Sequence, residues 1–195
     1  MTVTEALEKL KSYEQTSFAL KHAMGLLYYD GVTAAPKGAA AVRGDTTGEL
    51  SRIDYQLTTA PDTVEMLETL MAARTELDEI TRRKVEEYWR DYDRTRRIPE
   101  EEFVAYQRLS IKADDVWQTA KETNDFALFE PYLQEMFDTL KRFALYWEPD
   151  KAPYETLLDN YERGLTTAAC DTFFAALRQK LVPLIQKVTA HAGRV

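Results

Sequence analysis

Apolar side chains recur along this chain at alternating steps of three and four residues, and that spacing restricts it to helices. Val3, Ala6, Leu10, Tyr13, Ser17, Leu20, Met24 and Leu27 fall on one stripe of a long first helix. Thr2 or Thr4 is placed to cap it, Gly31 to end it, and Pro36 to sit in the first turn of the next. That second helix is expected from about Lys37 to Leu57, through Leu50 and Ile53. Pro61-Asp62 then breaks the chain and restarts it, with Asp62 as the cap of a helix through Val64, Leu67 and Leu70.

The same period continues to the end. A fourth segment carries Leu77, Ile80, Val85, Tyr88, Trp89 and Tyr92 and is interrupted at Ile98-Pro99. Pro99 suits the start of a fifth helix, with Phe103, Tyr106, Ser110, Ala113, Trp117 and Ala120 on one face. Asn124-Asp125 reads as a corner, after which Phe126, Phe129, Leu133, Phe137, Leu140 and Trp147 keep helical spacing, with Pro131 early in that helix. Trp117, Phe126 and Phe129 are expected to form a buried aromatic cluster at the corner. Residues 148–165 read as a loop with one helical turn. Thr166 or Thr167 caps a last helix through Phe173, Leu177, Leu181, Ile185 and Val188, which Pro183 should kink.

No segment reads as a strand or a repeat, and glycine and proline number only seven each. The expected fold class is all-α, antiparallel helices in a bundle or elongated helical array, with residues 1–195 as a single helical domain. Hydrophobic residues make up 45% of the chain, enough for a packed core. A net charge of −8, with acids and bases interspersed, argues against nucleic acid, whose phosphates require a basic face. The run from Thr81 to Arg97 is basic but laced with Glu86, Glu87, Asp91 and Asp93, as on a solvated helix with four-residue ion pairs. One cysteine, no leader-like N-terminus and no apolar run near the roughly 20 residues of a membrane span make the cytoplasm the expected location, with no membrane partner.

The inventory of chemistry is thin. The two histidines, His22 and His191, belong to neither H-E-x-x-H nor E-x-x-H, since Ala19 and Val188 stand three residues before them. No spacing supports a metal site from Cys170, His22, His191 and a carboxylate. Cys170 lies in an apolar-spaced run and reads as a small buried core residue. No nucleophile elbow, P-loop or dinucleotide fingerprint occurs. Asp30, Asp159 and Glu162 are the carboxylates that merit inspection, each in a turn beside aromatic residues, where turn hydrogen bonding is their ordinary role. No catalytic, cofactor-binding or metal-ligating residue is therefore assigned.

Three stretches nevertheless resemble one family. They are Leu27-Tyr28-Tyr29-Asp30-Gly31-Val32-Thr33 with Ala35-Pro36-Lys37-Gly38-Ala39 and Arg43; Tyr106-Gln107-Arg108-Leu109, Ala113, Trp117, Ala120-Lys121, Asn124-Asp125-Phe126, Phe129, Pro131 and Leu133; and residues 153–166, Pro153 to Thr166. Together they are similar to the Taq-type thermostable zinc carboxypeptidases, from Tyr13 to about Val188. The first departs from the pattern, for many members have tryptophan at the position of Tyr29 and Met-Pro at Ala35-Pro36.

The resemblance implies the N-terminal, groove-flanking helices of a helical metallopeptidase that removes C-terminal residues from peptides. That family's zinc motif, catalytic glutamate and carboxylate-binding arginines lie in the part that follows, so zinc is implied only there and none in this chain. The expectation is thus a chain inactive alone, partnered by a C-terminal catalytic portion or self-associated as a homodimer, with a peptide as the substrate of the full enzyme. A stand-alone helical binding or scaffolding protein derived from the family is the alternative. Faces left for a missing portion should appear as an exposed apolar patch on the last helix, around Phe174, Leu181 and Ile185, or on the first near Met24 and Tyr28.

Overall fold

The computed structural model describes residues 1–36 and 38–192. Among them the regular structure is entirely helical, in eight helices: α1 (Val3–Thr33), α2 (Ala40–Thr59), α3 (Pro61–Ala72), α4 (Glu79–Thr95), α5 (Glu100–Thr123), α6 (Phe126–Trp147), α7 (Pro153–Leu158) and α8 (Thr167–Thr189). They fall into two compact units, Met1–Thr139 and the chain from Leu140 onward. No helix is long and apolar enough to cross a membrane, among the described residues.

Local chemistry sets the start of α1. Thr2 accepts from the Glu5 amide at 3.2 Å while the Glu5 carboxylate accepts from the Thr2 amide at 2.7 Å, a reciprocal capping box. The expected stripe is the buried one, since Ala6, Leu10, Tyr13 and Ser17 are shielded and Leu20, Met24 and Leu27 half-buried. Gly31 does not end the helix, which runs on to Thr33. Its hydrogen leaves room for Arg43, whose Nε would lie 2.6 Å from a Cβ at this position.

The core of the first unit joins α1, α3 and α4 through Ala6, Leu10, Tyr13, Met66, Leu67, Leu70 and Val85. Each large apolar side chain buried there contributes about 1.5–3 kcal/mol. Tyr13 and Tyr88 meet edge to face, centroids 5.3 Å apart. Pro61 occupies the first turn of α3, where its missing N–H costs nothing. Asp62 does not cap α3; it accepts from Lys9 at 2.8 Å, which holds its carboxyl below the usual range. Asp78 caps α4 instead, accepting from the Ile80 and Thr81 amides.

The second helix begins at Ala40 and not in the first turn after Pro36; Lys37, its expected start, lies outside the described residues. Its buried face also differs from expectation. Ile53 is exposed, and the shielded positions are Ala40, Gly44, Thr47, Gly48, Ser51 and Thr58. These small residues admit the antiparallel α5: the Cβ position of Gly44 is 3.7 Å from Ile111, and that of Gly48 only 2.6 Å from Arg108 Nε. Further along the pair, Arg52 bonds Glu100 at 2.7 Å, and the Tyr55 hydroxyl donates to the Ile98 carbonyl at 2.8 Å.

Asn124 closes α5 in the left-handed conformation (φ 53°), and Asp125 accepts from the Ala127 amide at the start of α6. The aromatic cluster expected at this corner is not buried. Trp117 is 43% exposed and Phe126 60%; Phe129 is half-buried against Phe126. Spacing places these rings on helix faces, but no element covers those faces inside the first unit.

In the second unit, Phe143 and Ala144 on the last turns of α6 are buried. Thr166 caps α8, and α8 continues through Pro183 as one helix. No residue of α8 is buried. Cys170, expected in the core, is therefore only half-buried.

One titration follows from the α1–α4 contact. The Tyr88 hydroxyl donates to Glu14 at 3.2 Å, and Lys84 pairs with the same carboxylate at 2.9 Å. Burial, with Glu14 beside it, pushes the Tyr88 hydroxyl up to about 12 from 10.0. A raised acid stabilises the fold fully below its unfolded pKa and loses that contribution as pH climbs through the folded one. The melting temperature should therefore fall between pH 10 and 12, and less steeply in Tyr88→Phe than in the wild type. Parallel pH profiles would contradict this.

Candidate functional site

The residues singled out from sequence do not converge. Asp30 is exposed on the last turn of α1, where its carbonyl accepts from the Ala34 and Ala35 amides. Asp159 accepts from the Gly164 amide at 2.8 Å and closes the turn between α7 and α8, where Gly164 has φ +76°. Glu162 is exposed. His22 stacks on Phe18 at 5.9 Å, and His191 Nδ1 lies 2.7 Å from the Lys187 carbonyl. Among the described residues, no group of three or more His, Cys, Asp or Glu side chains is placed to hold a metal ion. The donor set present does not fit a catalytic zinc, which needs three protein ligands and an open position.

A groove is assembled instead from residues far apart in the chain. The C-terminal half of α1 supplies Tyr28, Gly31 and Val32; α2 supplies Arg43; α5 supplies Ser110, Ile111, Ala113, Asp114 and Trp117; α6 supplies Phe129 and Met136. It encloses about 440 Å³, all within the first unit. Two of the three stretches that carry the family resemblance meet here: Tyr28, Gly31, Val32 and Arg43 come from one, and Ala113, Trp117 and Phe129 from the other. Gly31 lets the Arg43 guanidinium lie against α1 on one side of the groove, and Asp114 lines it from α5. Lys121 Nζ sits 5.1 Å above the centroid of the Trp117 ring. Spacing alone did not single out Arg43, Asp114 or Met136; Arg43 entered only as part of the resembling stretch.

The third resembling stretch has a structural task. The Glu155 carboxylate on α7 accepts from the Thr167 amide at 3.1 Å and from the Thr167 hydroxyl, while Thr166 accepts from the Ala169 amide. Two acceptors thus meet the open amides at the start of α8.

A second charged group lies outside the groove. Asp54 on α2 has a buried Oδ1 with no hydrogen-bond partner among the described residues. Burial pushes its carboxyl up, Asp91 on α4 adds to the shift, and Lys21 on α1 opposes it. None of the three lines the groove.

The comparison with known proteins agrees with the resembling stretches. The family model described as Carboxypeptidase Taq (M32) metallopeptidase matches residues 9–194. Carboxypeptidase 1 of Bacillus subtilis (strain 168) is 33% identical over 193 residues, 95% of this chain and 38% of its own. Thermostable carboxypeptidase 1 of Pyrococcus furiosus is 30% identical over 184 residues, covering 94% of this chain and 37% of its own. Among solved structures, the BsuCP crystal structure superposes with a TM-score of 0.87 at 34% identity, over 96% of this chain and 37% of that one. Metallocarboxypeptidase 1 of Trypanosoma cruzi gives 0.77 at 27% identity, over 97% and 38%. The chain thus spans less than two-fifths of the length of these relatives.

Proposed function

The chain belongs to the carboxypeptidase Taq (M32) metallopeptidase family, and from that premise we propose that it forms the N-terminal, groove-flanking helices of a metallocarboxypeptidase that removes C-terminal residues from peptides. The carrying observation is the pairing of near-complete coverage of this chain with coverage of only 38% of the Bacillus relative. The zinc site and the catalytic base belong, on this reading, to the part of the fold that the chain does not span. What this chain contributes is a rigid wall: α2 clamped on α5, with Trp117 and Phe129 at the surface where a substrate chain can lie. α8, apolar and uncovered, is the surface that meets the remaining portion, or in isolation a second copy of the chain.

Purified chain, assayed with and without Zn²⁺ on a peptide substrate, should release no C-terminal amino acid. Co-expression with the remaining portion of the Bacillus relative should restore zinc-dependent release. Activity of the chain alone would overturn the reading. So would a failure to restore activity despite stable association of the two portions, which would favour a stand-alone binding module.

A further inference from the structure

The groove holds two opposite charges that do not pair with each other. Arg43 and Asp114 both line it, yet among the described residues neither enters an ion pair. The Asp114 carboxylate accepts one bond, from Gln118 at 3.1 Å on Oδ2. The Arg43 guanidinium is held against the backbone of α1 by the clearance at Gly31, so its position is set by packing and not by a counter-ion. Much of the remaining lining is apolar: Ile111, Trp117, Phe129 and Met136.

We propose that this groove binds a free apolar α-amino acid, with its carboxylate on Arg43, its ammonium on Asp114 and its side chain against Trp117 and Phe129. The chemistry narrows the ligand in three steps. A neutral apolar molecule would cover both charges and leave them without partners, which is costly. A simple anion would satisfy Arg43 but face the Asp114 carboxylate. A zwitterion with an apolar side chain satisfies both charges and covers the aromatic wall. The volume of about 440 Å³ lies within the range usual for small-molecule sites, about 300–1,000 Å³.

Calorimetric titration of the full chain decides this, using L-leucine, L-phenylalanine, their N-acetyl derivatives and their amides. Each free amino acid should bind about tenfold or more tightly than either blocked form, because each block removes one charge-assisted contact. Arg43→Gln should abolish the preference over the amide, and Asp114→Asn the preference over the N-acetyl acid. Gly31→Ala, placed where a methyl group would displace the guanidinium, should weaken the free amino acids while favouring the helix itself. If Arg43→Gln fails to fold, the wild-type ligand series and Gly31→Ala decide alone. No binding of either free amino acid overturns the proposal, as does equal binding of all three forms or a carboxylate preference that survives Arg43→Gln. The outcome is independent of the peptidase reading, since complementation can fail while the groove binds its ligand, and the reverse.

Discussion

Leu67→Ala should lower the unfolding free energy of the first unit by about 2–5 kcal/mol, the range for removing a fully buried leucine. Leu67 has no exposed surface and sits in the α1–α3–α4 core with Leu10, Met66, Leu70 and Val85. The loss combines the transfer free energy of three carbons with the cavity they leave. Met1 pairs with Glu65 at 2.6 Å and Lys9 with Asp62 at 2.8 Å, holding α1 and α3 in register. Urea unfolding gives the magnitude, and hydrogen exchange in α1 and α3 assigns the transition to this unit. Trp117→Ala is the internal contrast. Although the residue is larger, the ring is 43% exposed, and its loss should cost about 1–2 kcal/mol, from the covered part of the ring and the contact with Lys121. A larger effect at Trp117 than at Leu67 would show that the core lies elsewhere.

Isolated chain should self-associate through α8, and Phe174→Asp with Ile185→Asp should return it to a monomer. Phe174, Leu181, Ile185 and Val188 follow one stripe of a helix that buries nothing, with Phe173 and Leu184 exposed beside it. Covering each such side chain is worth about 1.5–3 kcal/mol at full burial. Two copies pairing about a two-fold axis cover both stripes at once. Two carboxylates on each copy would reverse that gain, because burying them is costly and Arg178, the one cation on the stripe, cannot pair with both. Sedimentation reads the change, and circular dichroism confirms that α8 stays helical in the double variant. Wild-type chain that stays monomeric at high concentration would remove α8 as an association surface, and so would a dimer indifferent to both substitutions.

The helices themselves were legible because their signals are local. The stripe from Ala6 to Leu27 repeats with the period of the helix, so one face is apolar whatever packs against it. Thr2, Pro61, Pro99 and Thr166 mark starts by backbone chemistry that acts within four residues. The misreadings share a cause as well. Hydrophobicity by itself predicts burial for large apolar side chains, Ile53 on α2 and Trp117 at the corner among them, yet both are exposed. The α2 seam is made of Gly44, Thr47, Gly48 and Ser51, residues conspicuous only for lacking bulk. Gly31, read as a helix stop, is a clearance for Arg43.

The sequence alone thus determined that this chain is helical, where most helices begin, and which face of α1 is buried, since each follows from periodicity and capping within a few residues. It also carried the family, through ordered stretches that need no coordinates to compare. Only the tertiary structure decided which small residues are contacts, which aromatic rings are walls and not core, and that Tyr28, Arg43, Asp114 and Phe129 border one groove. The meaning of a glycine or an exposed ring depends on the helix that approaches it, and that approach is set by packing between segments tens of residues apart, which no local pattern encodes.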